Sequence, residues 1–265
     1  MYREGDEIAI DKIRNNTYVS ELDFIVSYYE KKFKLEQIRS VDFIVVPFAS
    51  APMLAHTMLS FGLDDGTQMV ISVEIRTEKG EKYSPILGIA NQYEVTYVVA
   101  DEKDVIRLRT RHRDADVYIY PTMATPKQAQ TLFVDMMSRA NKLADQPEFY
   151  DTIRNNCTTN LVGHVNQIKN NQVPYAWQVL FPGHSDRYAY DLGLLDRSVP
   201  FEQLKQRCHV NELAEKYYDA DDFSQRIRSR SHAGQSRRQG VETNSPPSEL
   251  PSRESRRQGR PSIRR

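Results

Sequence analysis

The hydrophobic period of this chain changes once, and that change limits what it can fold into. From residue 41 to residue 120 the apolar residues come in short β-branched runs, whereas after Pro126 they recur at spacings of three and four: Ala129, Leu132, Phe133, Met136, Met137, Ala140, Leu143. The first pattern predicts strands at 41–48, 55–61, 69–76, 93–99, 105–109 and 117–120; the second predicts a helix that Pro147 ends. Asp64, Asp65 and Gly66 supply a turn that makes 55–61 and 69–76 an antiparallel hairpin. Ile8, Ile10 and Ile13 alternate as one or two short strands, while 27–35 fits strand or helix equally, and 49–52 is a loop of small residues. Amphipathic character at 188–195 and a final helix at 201–218 complete the pattern, with no internal repeat. Strands followed by packed helices predict an α+β fold, an antiparallel sheet packed against helices.

The 265 residues suffice for a large hydrophobic core, and 39% hydrophobic content fits a folded body. No apolar run reaches the roughly 18 to 20 residues of a membrane span, and the start carries no basic-then-apolar leader. The formal net charge of zero hides an asymmetry. From residue 224 onward there are 11 arginines against three acids, which leaves 25 basic and 33 acidic residues before it. That stretch, rich in Ser, Arg, Gln, Gly and Pro, has too few apolar residues to fold, so the chain divides into a domain at 1–223 and a disordered tail at 224–265. An arginine-rich arm for anionic lipid or nucleic acid is the alternative reading of the tail. Two cysteines, Cys157 and Cys208, make no disulfide framework, and both are expected to be free thiols.

Cys157 stands among small polar residues, Arg154-Asn155-Asn156-Cys157-Thr158-Thr159-Asn160, ahead of Leu161, Val162, Val165 and Ile168 at helical spacing. Asn155 or Asn156 is then an N-cap, and Cys157 falls in the first turn, where unpaired amides and the helix dipole favour thiolate and can hold an oxyanion. Asn156, Thr158 and Thr159 are the candidate groups there. Two readings fit, an activated nucleophile and a small buried cysteine at a helix start. A nucleophile needs a base, and the base an orienting partner. His164 lies roughly 10 Å along the same helix and reads as packing or surface. His112 reads as solvated, His209 and His232 have no evident partner, and His184 is an alternative in a Pro-Gly loop. His56 opens the 55–61 strand, and Glu74 interrupts the apolar run of the paired strand, so a carboxylate across the hairpin can fix the imidazole tautomer. Glu74 fits equally as a surface partner of Arg76 or Lys79.

The order His, Glu, Cys resembles circularly permuted papain-like enzymes of the NlpC type. More specifically, Ala55-His56-Thr57-Met58-Leu59-Ser60-Phe61-Gly62, Ser72-Val73-Glu74-Ile75-Arg76, Asp101-Glu102-Lys103-Asp104-Val105-Ile106, Val117-Tyr118-Ile119-Tyr120-Pro121 and Asn155-Asn156-Cys157-Thr158-Thr159-Asn160 together resemble the Lnb N-terminal periplasmic domain family of bacteria, over roughly residues 5 to 220. The resemblance implies a thiol acyl-transfer site, similar to that of a lipoprotein N-acyltransferase, at the periplasmic face of the inner membrane. Cys157 would take an acyl chain from a phospholipid as a thioester, His56 would remove the thiol proton, Glu74 would orient His56, and a lipoprotein amine would accept the chain. Phospholipid and lipoprotein are thus the expected partners, with contact to a membrane surface. Tyr28, Tyr29, Phe33, Trp177 and Phe181 are the aromatic residues available to meet lipid.

A cysteine amidase or peptidase on the same scaffold, or a non-catalytic envelope-binding module with a basic tail, are the competing readings. No His-Glu-x-x-His or paired Cys-x-x-Cys spacing is present, so no metal is expected. No Gly-x-Gly-x-x-Gly or Gly-x-x-x-x-Gly-Lys-Ser/Thr occurs, so no nucleotide cofactor or specific nucleic-acid partner is expected either.

Overall fold

The structure is a computed structural model, and it describes residues 1–76, 93–151, 153–168 and 173–231. Ten strands are described: β1 Tyr2–Glu4, β2 Glu7–Arg14, β3 Thr17–Tyr18, β4 Phe24–Ile25, β5 Tyr28–Lys34, β6 Ile38–Phe48, β7 Ala51–Leu63, β8 Gln68–Arg76, β9 Glu94–Asp101 and β10 Tyr118–Pro121. Eight of them form one sheet in the order β1-β2-β9-β8-β7-β6-β10, with β5 paired to β2, and β3 and β4 make a separate ribbon. The fold is α+β, but the sheet is mixed rather than antiparallel throughout, because β2 meets β9 in parallel at Arg14↔Ala100. The ambiguous 27–35 stretch is strand β5, whose antiparallel partner β2 takes Phe33 into the core opposite Ile8.

Two faces of this sheet are covered. Leu59, Phe61, Met69 and Ile71 point to one side and meet helix α2 (Pro126–Asp145) through Ala129, Leu132, Phe133, Met136 and Met137. Phe133 sits edge-on to Phe33 and Phe61, with centroids 5.8 and 5.2 Å away. Thr125 caps α2 in a reciprocal box with Gln128, and Pro126 follows at the first helical position. The intervening residues Ile44, Val46, Met58 and Val70 face the other side, against Val105, Ile106, Leu213, Ala214, Phe223 and Ile227. Strand alternation thus supplies two cores from one sheet.

Two predicted elements differ. Residues 105–109 are not a strand: Asp101 accepts a hydrogen bond from the Lys103 N–H (2.9 Å) and starts helix α1, Glu102–Arg107, which runs into a wider π turn, Leu108–His112. A short apolar run reads the same for strand and helix, and here the capping aspartate decides. The predicted 201–218 helix is two, α6 Phe201–Cys208 and α7 Asn211–Lys216. Between them His209 bridges to Tyr118, the Val210 N–H donates to Val117 O (3.0 Å), and Asn211 Oδ1 accepts from the Val117 N–H (2.8 Å). Pairing to β10 therefore outweighs continuing the helix.

The compact unit spans Met1–His232, so a domain end at 223 falls inside it. A last turn, α8 Phe223–Arg226, leads to Arg228, whose guanidinium is buried against Asp42 (2.7 Å) on β6 and Glu102 (2.5 Å) on α1. Both carboxylates and the arginine are buried, and Ser60 Oγ donates to Glu102 (2.6 Å). The expected disordered tail, from residue 232 on, lies outside the described residues. Among those described, no helix is long and apolar enough to cross a membrane.

Candidate active site

The strand pair that carries the histidine comes apart at the site. β7 and β8 turn at Gly66, which takes a left-handed φ of +84°, and pair in register from Gly62↔Gln68 to Met58↔Ser72. The ladder ends there, although β7 continues back to Ala51 and β8 on to Arg76. His56 and Glu74 occupy the next same-face positions of that register, and their side chains meet: His56 Nε2 lies 3.1 Å from Glu74 Oε1. Ser72, two residues before Glu74 and on the same face, places its hydroxyl 2.7 Å from His56 Nε2 and donates to Glu74 Oε1 at 2.7 Å. Arg109, buried in the π turn, brings Nη2 within 3.7 Å of the same carboxylate oxygen.

Cys157 approaches from helix α3, Cys157–Ile168. Asn156 is the N-cap: its Oδ1 accepts from the Thr159 N–H (2.9 Å), and its own N–H donates to Thr159 Oγ1 (2.8 Å). Asn160 Nδ2 donates to Asn155 Oδ1 and to Asn156 O, each at 2.8 Å. The run of small polar residues is thus a lock on the start of the helix. Thr158 Oγ1 lies 3.7 Å from Cys157 Sγ and 3.1 Å from Thr57 Oγ1. Thr57, whose backbone has no ladder partner on β8, hydrogen-bonds Cys157 through its N–H.

The electrostatics follow from these contacts. Burial alone would push the half-buried Cys157 thiol up, but its hydrogen bond with His56, the imidazole charge, the Thr57 N–H and the Thr158 hydroxyl outweigh burial and hold it at about 7. Burial likewise opposes charge on His56, whose side chain is 14% exposed; Glu74 and Cys157 overcome this and raise it to about 9. Glu74 is burdened by desolvation yet held well below the usual carboxylate range by His56, Arg109 and Ser72. With Nε2 turned to Ser72 and Glu74, Nδ1 is the ring nitrogen left for the thiol.

On its inner face α3 borders an apolar cavity of about 200 Å³, lined by Phe43, Leu59, Leu161, Val162 and Val165, with Thr158 in its wall. Beside it run helix α4, Trp177–Leu180, a 3₁₀ turn Pro182–His184 and helix α5, Ser185–Asp191, which takes up the first half of the amphipathic stretch expected at 188–195. Gly183 presses on β7 so closely that a Cβ there would meet Pro52 O at 2.0 Å. Trp177, which starts α4, and Phe181, which follows it, are exposed. Of the other expected lipid-facing aromatics, Tyr28 is exposed, Tyr29 donates to Asp101 (3.0 Å), and Phe33 is core.

The remaining described histidines stand apart from Cys157. His164 is buried between Asp135 Oδ2 (2.6 Å from Nδ1) and the Tyr97 hydroxyl (2.7 Å from Nε2). His209, read as lacking a partner, contacts Asp116 Oδ1 (2.9 Å) and stacks on Tyr118, because the break between α6 and α7 turns it to β10. His112, read as solvated, has its Nε2 buried and its ring 5.9 Å from Tyr18. His184 faces Trp177, and His232 lies outside the described residues. Sequence reasoning missed Thr57, Ser72 and Arg109. Ser72 could have been found from the two-residue alternation that puts it on the Glu74 face, whereas Arg109 was hidden by the strand assigned to its segment.

Among the described residues no group of three or more His, Cys, Asp or Glu is placed to hold a metal ion. No curated protein and no solved structure matches the chain. A family model, the Lnb N-terminal periplasmic domain, matches residues 26–183, more than half of the chain and the whole stretch from His56 through Glu74 to Cys157. The histidine strand, its carboxylate and the capped cysteine helix all lie within that match, and the chain belongs to the Lnb N-terminal periplasmic domain family, a family of periplasmic domains.

Proposed function

We propose that this protein is a thiol-dependent acyl-transfer enzyme, working through a thioester on Cys157 with His56 as base and acid. The observation that carries the reading is the meeting of His56 and Cys157 in the fork between β7 and β8, with Glu74 behind the imidazole. The order of a histidine strand before a cysteine helix also supports a circularly permuted, papain-like plan. Thiolate and imidazolium coexist between about pH 7 and 9. The thiolate attacks an ester carbonyl; the C–S bond forms, the ester C–O bond breaks, and His56 gives its proton to the leaving alkoxide. An amine then attacks the thioester. The C–N bond forms, the C–S bond breaks, and the amine proton returns through His56, leaving amide, alcohol and the original pair.

Two features favour a lipid acyl donor. The apolar cavity shares Thr158 with the nucleophile's surroundings, and Trp177 and Phe181 are exposed in the short segment whose Gln178 and Val179 line it. A phospholipid as donor, a lipoprotein amine as acceptor and work at the periplasmic face of the inner membrane complete the reading. For the oxyanion, the Thr159 amide and hydroxyl are engaged by the cap, so Cys157 and Thr158 supply the first-turn amides that have no acceptor within the helix.

The test is incubation of the full chain with phospholipid in detergent micelles, followed by intact-mass measurement. An acyl-sized gain that hydroxylamine removes and that Cys157→Ala abolishes is the expected result. Free fatty acid without transfer to an added lipopeptide amine would indicate hydrolysis. Absence of both adduct and turnover with a reactive thiol would overturn the lipid reading.

A further inference from the structure

Three polar groups face a single oxygen of Glu74, and two of them come from residues that the reaction above does not use. Oε1 lies 3.1 Å from His56 Nε2, 2.7 Å from Ser72 Oγ and 3.7 Å from Arg109 Nη2. Ser72 Oγ is at the same time 2.7 Å from His56 Nε2, closer than the carboxylate itself. The Nε2–H therefore points at a hydroxyl whose own proton goes to Glu74, a relay of charge-assisted hydrogen bonds. Arg109 comes from the π turn. Its Nη1 donates to Val105 O (3.1 Å), which fixes the buried guanidinium, and its second nitrogen faces Oε1. Burial pushes Arg109 down to about 10, still above the value of about 9 for His56, so it is charged at the midpoint of the His56 titration.

We propose that Ser72 and Arg109 are positioning residues that act on His56 through Glu74 with opposite sign, Ser72 tightening the carboxylate's hold on the imidazolium and Arg109 loosening it. Ser72 adds a bridge that favours the protonated ring and fixes which nitrogen faces Cys157. Arg109 claims part of the same carboxylate charge and is itself a like charge to the imidazolium. Other charged groups around this cluster are already engaged. Arg14, which also acts on Glu74, is bound to Asp104 at 2.7 Å, and Arg113, which acts on Arg109, is bound to Glu21 at 2.9 Å. His56 itself is faced by Glu74 and Cys157. The inference rests on the thiolate–imidazolium reading of the site.

The experiment is an NMR titration of the full chain labelled at histidine ¹³Cε1, with His56 assigned from His56→Gln. The wild-type ring is expected to titrate near 9. Ser72→Ala should lower that midpoint and Arg109→Met should raise it, each by about half to one pH unit, roughly three- to tenfold in proton affinity. Ser72→Thr and Arg109→Lys, which keep the hydroxyl and the charge, should lie close to wild type; should either truncation fail to fold, Ser72→Cys and Arg109→Gln stand in and should shift the midpoint in the same two directions. Shifts of the same sign, or none with thermal stability alone reduced, would make both residues merely structural and overturn the inference while leaving the catalytic reading intact. A wild-type midpoint near 6.5 would instead overturn the reading on which it rests.

Discussion

Among the described residues two histidines sit between a carboxylate and another polar group, and only one of them is built to carry charge. His56 has Glu74 and Ser72 at Nε2 and the Cys157 thiol as its other neighbour, and it is raised to about 9. His164, on the same helix as the cysteine, has Asp135 at Nδ1 and the Tyr97 hydroxyl at Nε2, and burial lowers it despite the aspartate, with Arg139 adding to the effect. A carboxylate at hydrogen-bond distance is therefore not enough to raise an imidazole. The difference lies in the third partner. A thiol that ionises repays the imidazolium, whereas a tyrosine hydroxyl, itself pushed up by burial, does not. His164 joins α3 to α2 and β9 as a neutral link. His56 is one half of an ion pair.

The comparison breaks first if the two histidines are exchanged in a reactivity assay. With Cys208→Ser leaving one thiol, His56→Gln should lower Cys157 alkylation by iodoacetamide at pH 7 and reduce turnover by roughly 10²- to 10⁴-fold, whereas His164→Gln should change either by less than about threefold. A large catalytic loss on His164→Gln in a folded protein would erase the distinction. Next in size is the buried cluster that involves no histidine. Arg228→Met leaves Asp42 and Glu102 buried without their cation and should cost about 3–5 kcal/mol in a denaturant melt, while truncation after Ser231 should cost little. A melt unchanged by Arg228→Met would remove this segment from the fold.

The pH dependence sharpens the comparison further. Turnover should follow a bell with an acid limb near 7, where Cys157 ionises, and an alkaline limb near 9, where His56 loses its proton. The signs for stability differ between the two rings. His56 is raised in the fold, so its contribution is complete below about 6.5 and is lost as pH rises through 9; Cys157 is lowered, so its contribution is lost as pH falls through 7. His164 is lowered, so its contribution is present above 6.5 and lost on further acidification. Melts of His164→Gln should therefore lose acid sensitivity below pH 6, whereas His56→Gln should lose alkaline sensitivity near pH 9. The smallest expected effect is at Thr158→Val, which removes a hydroxyl from beside Cys157 and Thr57 and should raise the thiolate midpoint by about half a unit, with only a small change in the melt.

Much of this site was legible from the residues alone. Glu74 could be placed opposite His56 because the Asp64-Asp65-Gly66 turn fixes the β7–β8 register and strand side chains repeat every two residues. A cap at Asn155 or Asn156 could be read because a short polar side chain ahead of an apolar-periodic run bonds the first-turn amides, and the bond to the Thr159 N–H makes it Asn156. Those are local rules, and they also separate the strand half of the chain from α2. What failed was non-local. Arg109 was assigned to a strand because Val105 and Ile106 read alike in either structure, and Arg228 was assigned to a tail because its partners stand 186 and 126 residues away.

The α+β class, the hairpin that sets Glu74 across from His56 and the place of the cysteine in the first turn of its helix could be read from the residues, since each follows from local pattern and turn chemistry. Only the tertiary structure decided that Cys157 meets His56 where the β7–β8 ladder opens, that Ser72 and Arg109 share one oxygen of Glu74, and that His164 is kept neutral. The physical reason is that charge in a partly buried site depends on every group brought near it, and the fold brings those groups from β7, β8, the π turn and α3.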